Sequence, residues 1–201
     1  MAFRLQDDLG TPEGSDDEIL RWKKQLWAGT PSQQRTAAAK LLERRAENAL
    51  VECLHSPNSL AVELATGSLW ECWLNERGPA ARREMDRGIR KMNEGDLTGA
   101  LTLFQKLTET YPDWAEAHNK QATVFYLLGN ARLSYKVCQV VVELKPQHFG
   151  AWNGMALCAA QLEKWRPALE AARQALSLQP GASANLDLIR LAEAKLEEEG
   201  G

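Results

Sequence analysis

The chain lacks most of what marks a catalytic, metal-bound or membrane-spanning protein. Its 201 residues include three histidines, His55, His118 and His148. None sits in an HxxxH or HExxH pattern or beside a cysteine, so no metal-ligand set of ordinary spacing is present. The cysteines, Cys53, Cys72, Cys138 and Cys158, are scattered without a CxxC pair. In a chain long enough to bury its own core they read as reduced, small apolar residues. A glycine-rich phosphate loop, a nucleophile elbow and a paired-carboxylate motif are all missing. The expectation is therefore a protein that is not an enzyme and takes no cofactor and no metal.

Long apolar runs are missing too. No stretch approaches the roughly 20 residues that a membrane-spanning helix needs, and the acidic N-terminus does not have the charged-then-apolar pattern of a signal peptide. These features predict no membrane span and a cytoplasmic location, or an organelle stroma or matrix if a transit peptide has been removed. The net charge of −3 lacks the basic excess by which proteins hold nucleic acid. A mildly basic middle lies between two mildly acidic ends, too weak a bias to select a partner.

What the sequence does have is a period. Pro112, Pro146 and Pro180 lie 34 residues apart. Gly88, Ala122 and Ala156 keep the same spacing, as do Ala100, Ser134 and Ala168, and Leu107, Val141 and Ala175. Gly95 and Gly129 match each other, while Glu163 stands in the third position. A fixed period of this length is the signature of a stacked helical repeat. In the first unit, 81–94 reads as one helix, Gly95-Asp96 as the turn, and 97–110 as a second helix. Leu97, Leu101, Phe104 and Leu107 give its apolar stripe. Tyr111-Pro112 stops it, because proline cannot continue a helix and restricts the residue before it.

Segments 112–130 (PDWAEAHNKQATVFYLLGN) and 145–165 (KPQHFGAWNGMALCAAQLEKW) resemble first helices of the tetratricopeptide-repeat (TPR) family. Positions that match the family pattern are Gly88, Gly95, Ala100, Phe104 and Pro112; Ala122, Phe125, Gly129 and Pro146; and Trp152, Ala156, Ala168, Ala175 and Pro180. His118 stands where the third unit has Trp152, and Cys138 and Ala172 replace the aromatic packing residue. The resemblance implies an all-α fold: a right-handed α-solenoid of helix-turn-helix units with a helical N-terminal extension and a C-terminal capping helix. The expected division is a disordered 1–14, an extension over 15–80, three units over 81–180 (about 81–114, 115–148 and 149–180), and a cap with an acidic tail over 181–201. The cap is expected over 182–198, with Leu186, Ile189, Leu191 and Leu196 on its apolar side.

Within 15–80, Ser15 and Glu18 form a capping-box pattern that opens a helix to about Trp27. A long helix follows from Ser32 or Gln33 to about Cys53, then a break at His55–Asn58 and a helix over 59–75. Seven tryptophans are many for this length. Trp70 and Trp73 share one helical face, and Trp22, in the outermost helix, is expected to be the most exposed. They read as packing between extension and repeats, against the alternative of an aromatic patch for a partner.

In TPR folds the first helix of each unit lines a concave surface that binds peptides or partner helices. The resemblance places Arg82, Met85, Asp86, Ile89 and Asn93 there from the first unit. It adds Glu116, Asn119, Lys120, Thr123 and Tyr126 from the second, and Asn153, Leu157 and Gln161 from the third. The family's two-carboxylate clamp for Hsp70 and Hsp90 tails needs several cationic and amide donors. At those places this chain carries Met85 and Ile89, Lys120, and Gly150 and Gly154. Such tails are disfavoured, because the charge-assisted bonds lack donors, and the two glycines are expected to leave the groove wall open. The expected function is a protein–protein interaction scaffold (adaptor, assembly factor or co-chaperone-like) for a peptide or amphipathic helix. His118 is expected to pack at its consensus position, and His148 to help start the following helix. Two other readings compete. One is a self-associating structural protein that uses the N-terminal Trp-bearing helices, which makes a homo-oligomer. The other is a catalytic or ligand-binding helical domain, which would require a buried polar cluster in a pocket.

Overall fold

A computed structural model describes residues 16–200; the expected disorder of 1–14 and the Ser15 cap lie outside the described residues. Within them the chain forms eleven α-helices. They are α1 (Asp16–Ala28), α2 (Pro31–Glu43), α3 (Glu47–Cys53), α4 (Ser59–Leu74), α5 (Gly78–Asn93), α6 (Leu97–Thr110), α7 (Ala115–Leu127), α8 (Ala131–Leu144), α9 (Phe149–Gln161), α10 (Trp165–Leu178) and α11 (Ser183–Gly200). Two compact units divide at Ser68/Leu69, inside α4.

In the first unit, Thr30 opens α2 through a capping box: its side chain accepts from the Gln33 backbone, and Gln33 reaches back to the Thr30 N–H at 2.9 Å. The single helix expected from Ser32 or Gln33 to Cys53 is in fact two. It breaks at Arg44–Ala46, where Arg45 takes φ 49° and the Ala46 N–H closes back on Leu41 O at 2.9 Å. A left-handed residue with this six-residue closure ends a helix even without a glycine to announce it. Trp22 is corrected as well. It is buried at 9% exposure, with the Arg21 and Arg44 guanidinium groups 5.9 Å from its ring.

The second unit is a stack of helix pairs, α5/α6, α7/α8 and α9/α10, closed by α11. The 34-residue columns are its packing positions. Ala100, Ser134 and Ala168 are all buried, as are Leu107, Val141 and Ala175. Ser134, the one polar member, donates its hydroxyl to Ala122 O at 2.8 Å, so it satisfies itself across the helix pair. Tyr111, Lys145 and Gln179 end the second helices with ψ of 75°, 85° and 81°, outside the helical region that the prolines following them disfavour. The first helix of the stack starts at Gly78, three residues before the expected start, with Pro79 in its first turn.

The turn within each pair is built the same way three times. Gly95 (φ 83°), Gly129 (φ 78°) and Glu163 (φ 56°) all take the left-handed conformation. Asp96 and Asn130 then cap the next helix by accepting from the Gly99 and Leu133 backbones, whereas Lys164 makes no side-chain cap. A non-glycine residue there costs about 1 kcal/mol, and a missing cap about another. Glu163→Gly with Lys164→Asp should therefore stabilise the chain by roughly 1–3 kcal/mol and raise its melting temperature by several degrees. An unchanged melt would show that the third turn has compensations elsewhere.

The cap helix α11 buries Asn185, Leu188 and Ala192, with Ile189 half-buried against the core. Leu186 and Leu191, expected on its apolar side, are instead exposed at 39% and 45%. The buried positions fall at i, i+3 and i+7, a stripe turned away from those two leucines. The helix also continues to Gly200, through the segment expected to be an acidic tail.

Candidate binding groove

The N-terminal ends of α7 and α9 are held by polar side chains. His148 is the N-cap of α9: its Nδ1 accepts from the Ala151 N–H at 3.1 Å, in keeping with its expected place at the helix start. That bond puts the ring hydrogen on Nε2, which donates to Glu116 Oε2 at 2.9 Å. Asn119 Nδ2 donates to the same oxygen at 3.0 Å, and Lys120 Nζ lies 3.0 Å from Oε1. Glu116 and His148 are both fully buried. Burial alone would raise the Glu116 carboxyl, but the hydrogen bond from His148 and the Lys120 charge outweigh it and hold the group below the ordinary carboxylate range.

The end of α4 packs over this cluster. Trp73, fully buried, stacks on His148 with centroids 4.3 Å apart and 22° between planes. Its carbonyl accepts from Trp114 Nε1 at 2.8 Å. Trp114 and His148 occupy the same column of consecutive units, and each is an N-cap residue. Trp70 stands edge-on to Trp73, His148 and Phe149 at 5.2–5.5 Å, and Lys120 Nζ lies 5.2 Å from its ring centroid. A Cβ at Gly150 would come within 2.6 Å of the Trp70 ring. Gly150 therefore admits the indole, and the wall expected to be open at this point is covered by it.

Beyond Trp70, a cavity of about 200 Å³ opens between α7 and α9, lined by Asn119, Thr123, Tyr126, Asn153, Leu157, Gly150 and Gly154, with Ala122, Ser134, Cys138 and Cys158 also in its walls. Tyr126 and Leu157 are exposed at 37% and 39%. Burial pushes the Cys138 thiol up to about 12 and also raises that of Cys158, so both thiols stay uncharged and poorly nucleophilic.

Five of the positions expected on the concave surface thus come together: Asn119, Thr123, Tyr126, Asn153 and Leu157. Others do not. Met85 is fully buried in a cluster with Ala81, Phe104 and Trp114, against which Ile89 also packs. Glu116 and Asn119 are buried rather than solvated, because their polar groups satisfy one another. Arg82 is engaged with Glu71 and Asp86, each at 2.7 Å, and Lys120 with Glu116. Asn93 and Gln161 are exposed at helix ends, outside the cavity lining. His118 is half-buried, its Nε2 2.9 Å from Pro112 O, and Trp152 makes the equivalent bond to Pro146 O at 2.8 Å.

Sequence reasoning missed Glu116, His148, Trp70 and Trp73 as one group. A polar cluster of the kind a ligand-binding domain requires does exist there, with its members turned on each other. The only trace in the sequence is that the column of Trp114 continues as a second ring, His148. Among the described residues no group of three or more His, Cys, Asp or Glu side chains could hold a metal ion, and no helix is long and apolar enough to cross a membrane.

No family model matches the chain. A TPR repeat-containing protein of Rhizobium etli is 29% identical over 97 residues, a match that covers 48% of this chain and 48% of that protein. The chain thus spans about half the length of this curated relative. Among solved structures, the Sgt2 TPR domain of Aspergillus fumigatus is similar with a TM-score of 0.57 and 15% identity, covering 61% of this chain and 82% of that one. The first TPR of Spaghetti (RPAP3), bound to the HSP90 peptide SRMEEVD, gives 0.56 and 17% identity, covering 57% and 90%. At these identities the likeness is one of fold.

Proposed function

We propose that this chain, a tetratricopeptide-repeat protein, is an interaction scaffold that takes an apolar side chain of a partner peptide or amphipathic helix into the groove between α7 and α9. The observation that carries this reading is the convergence of Asn119, Thr123, Tyr126, Asn153 and Leu157 on one cavity. Its size suits one aliphatic or thioether side chain. Tyr126 and Leu157 offer apolar surface at its edge, and aromatic and aliphatic anchors in such a pocket carry most binding energy.

The partner is not read as a carboxylate tail. HSP90 peptide binding belongs to the Spaghetti domain, and here the donors of a two-carboxylate clamp are missing. Met85 is buried, Lys120 is tied to Glu116, and Gly150 lies under Trp70. No lysine or arginine lines the cavity. An adaptor or assembly role is the fitting use of such a groove.

Affinity capture with the intact chain beside a Leu157→Asp variant tests this. Leu157 is exposed, so the variant should fold, and its partner should be recovered at least tenfold less. Equal recovery by both chains sinks the groove reading. The peptide SRMEEVD should show no saturable binding by fluorescence anisotropy; saturable binding lost in Lys120→Ala would restore the clamp.

A further inference from the structure

On the outer side of the second helix pair, α8 carries Leu133, Val137, Val140 and Leu144 at spacings of four, three and four. Leu133, Val140 and Leu144 are exposed at 40%, 38% and 41%, and Val137, at the edge of the stripe, is half-buried against the core. The inner face of the same helix is separate: Ser134, Cys138 and Val141 face the core. The repeat supplies its own control. At the columns of Leu133, Val140 and Leu144, α6 has Gly99, Lys106 and Thr110, and α10 has Pro167, Gln174 and Leu178. The column of Val137 differs, with Leu103 and Ala171 both buried, so stacking uses Val137 but does not require Leu133, Val140 or Leu144. The 4-3-4 spacing of the stripe is that of a helix–helix seam.

We infer that this face of α8 pairs with α8 of a second copy of the chain, antiparallel, to form a weak homodimer. The flanking charges select both the occupant and the direction. In an antiparallel pair with Val137 opposite Val140 of the second copy, Leu133 falls opposite Leu144. Lys136 then lies within one helical turn of Glu143 of the second copy, on both sides of the twofold axis. Both of these side chains are exposed. In a parallel pair the twofold axis runs along the helices and carries the charged flank of the second copy to the opposite edge of the seam, so neither Lys136 nor Glu143 meets its opposite charge. The seam is self-complementary in one direction only. A seam on one helix of 14 residues falls short of the roughly 800 Å² per partner of a stable interface, so the dimer is reversible and depends on concentration. It leaves the α7–α9 groove of each copy free.

Sedimentation of the full chain over a concentration series reaching the millimolar range tests this. The weight-average mass should climb from the 22.4 kDa of one chain toward twice that value. Val140→Lys, at an exposed position and with the parent's circular dichroism, should stay monomeric. Lys136→Glu and Glu143→Lys should each weaken association roughly 2- to 30-fold, from two charge pairs of about 0.2–1 kcal/mol each, and the double reversal should restore it. A parent chain that stays monomeric at the highest concentration overturns the inference. So does a dimer that survives Val140→Lys, or one indifferent to the single reversals.

Discussion

Glu116→Ala is expected to cost the folded chain about 3–5 kcal/mol, because it leaves partners of a buried charge without their acceptor. Three groups converge on this carboxylate from two helices: His148 Nε2 from the start of α9, and Asn119 Nδ2 and Lys120 Nζ from the next turn of α7. Truncation strands the His148 N–H in a site with no access to water, and it removes the link across 32 residues that ties the two first helices. In a chain of this size, melting should fall by about 2–4 °C per kcal/mol. Glu116→Gln retains an acceptor oxygen and should lose less, about 1–3 kcal/mol.

The pH dependence follows from the direction of the shift. The folded carboxyl is held below its ordinary value of 4.5. The stability it contributes is therefore complete above that value and is lost as the pH falls from there through the depressed folded value. The parent should weaken along this acid limb, and the glutamine variant should show a flatter one. Denaturant titrations at neutral and acid pH measure both effects. A Glu116→Ala chain that unfolds at the parent's midpoint would mean that the cluster is hydrated and its members find other partners.

Trp73→Ala is the second large effect, again about 3–5 kcal/mol, the usual cost of removing a fully buried indole. The ring stacks on His148 and stands edge-on to Trp70, and Lys145 Nζ lies 5.9 Å from its centroid. The backbone carbonyl that accepts from Trp114 survives the substitution, so the loss reports the ring alone. Trp73→Phe should recover part of it by refilling the cavity. Trp70→Ala should cost less than Trp73→Ala, since Trp70 is only half-buried, and it should lengthen the groove over Gly150. Comparable losses from both tryptophans would contradict the assignment of Trp73 as the buried anchor.

The repeat made the stacking legible in the sequence before any coordinates. Ala100, Ser134 and Ala168 mark where helices approach closely, and Pro112, Pro146 and Pro180 mark where they stop. The same period hides which face a first helix presents. The column of Met85 lies on a first helix, which predicts a groove position, yet its side chain packs in the core among Ala81 and Phe104. Glu116 and Asn119 read as solvated because charged and amide side chains usually are. Their burial depends on His148 in the following unit and on aromatic cover from α4, which is not part of the repeat. The split between α2 and α3 was hidden for a related reason: Arg45 adopts the left-handed turn that Gly95 and Gly129 announce by their identity.

The hold on Trp73 also bears on how such an array can change its length. Helical repeats ordinarily grow or shrink by whole units, because each unit presents the same surfaces to its neighbours. Here one column must supply an indole donor in one unit, Trp114, and an imidazole stacking platform in the next, His148, both for a residue from outside the repeat. A unit inserted between them would keep every packing column intact and still separate that pair. The second and third units have stopped being interchangeable copies, and α4 fixes their order.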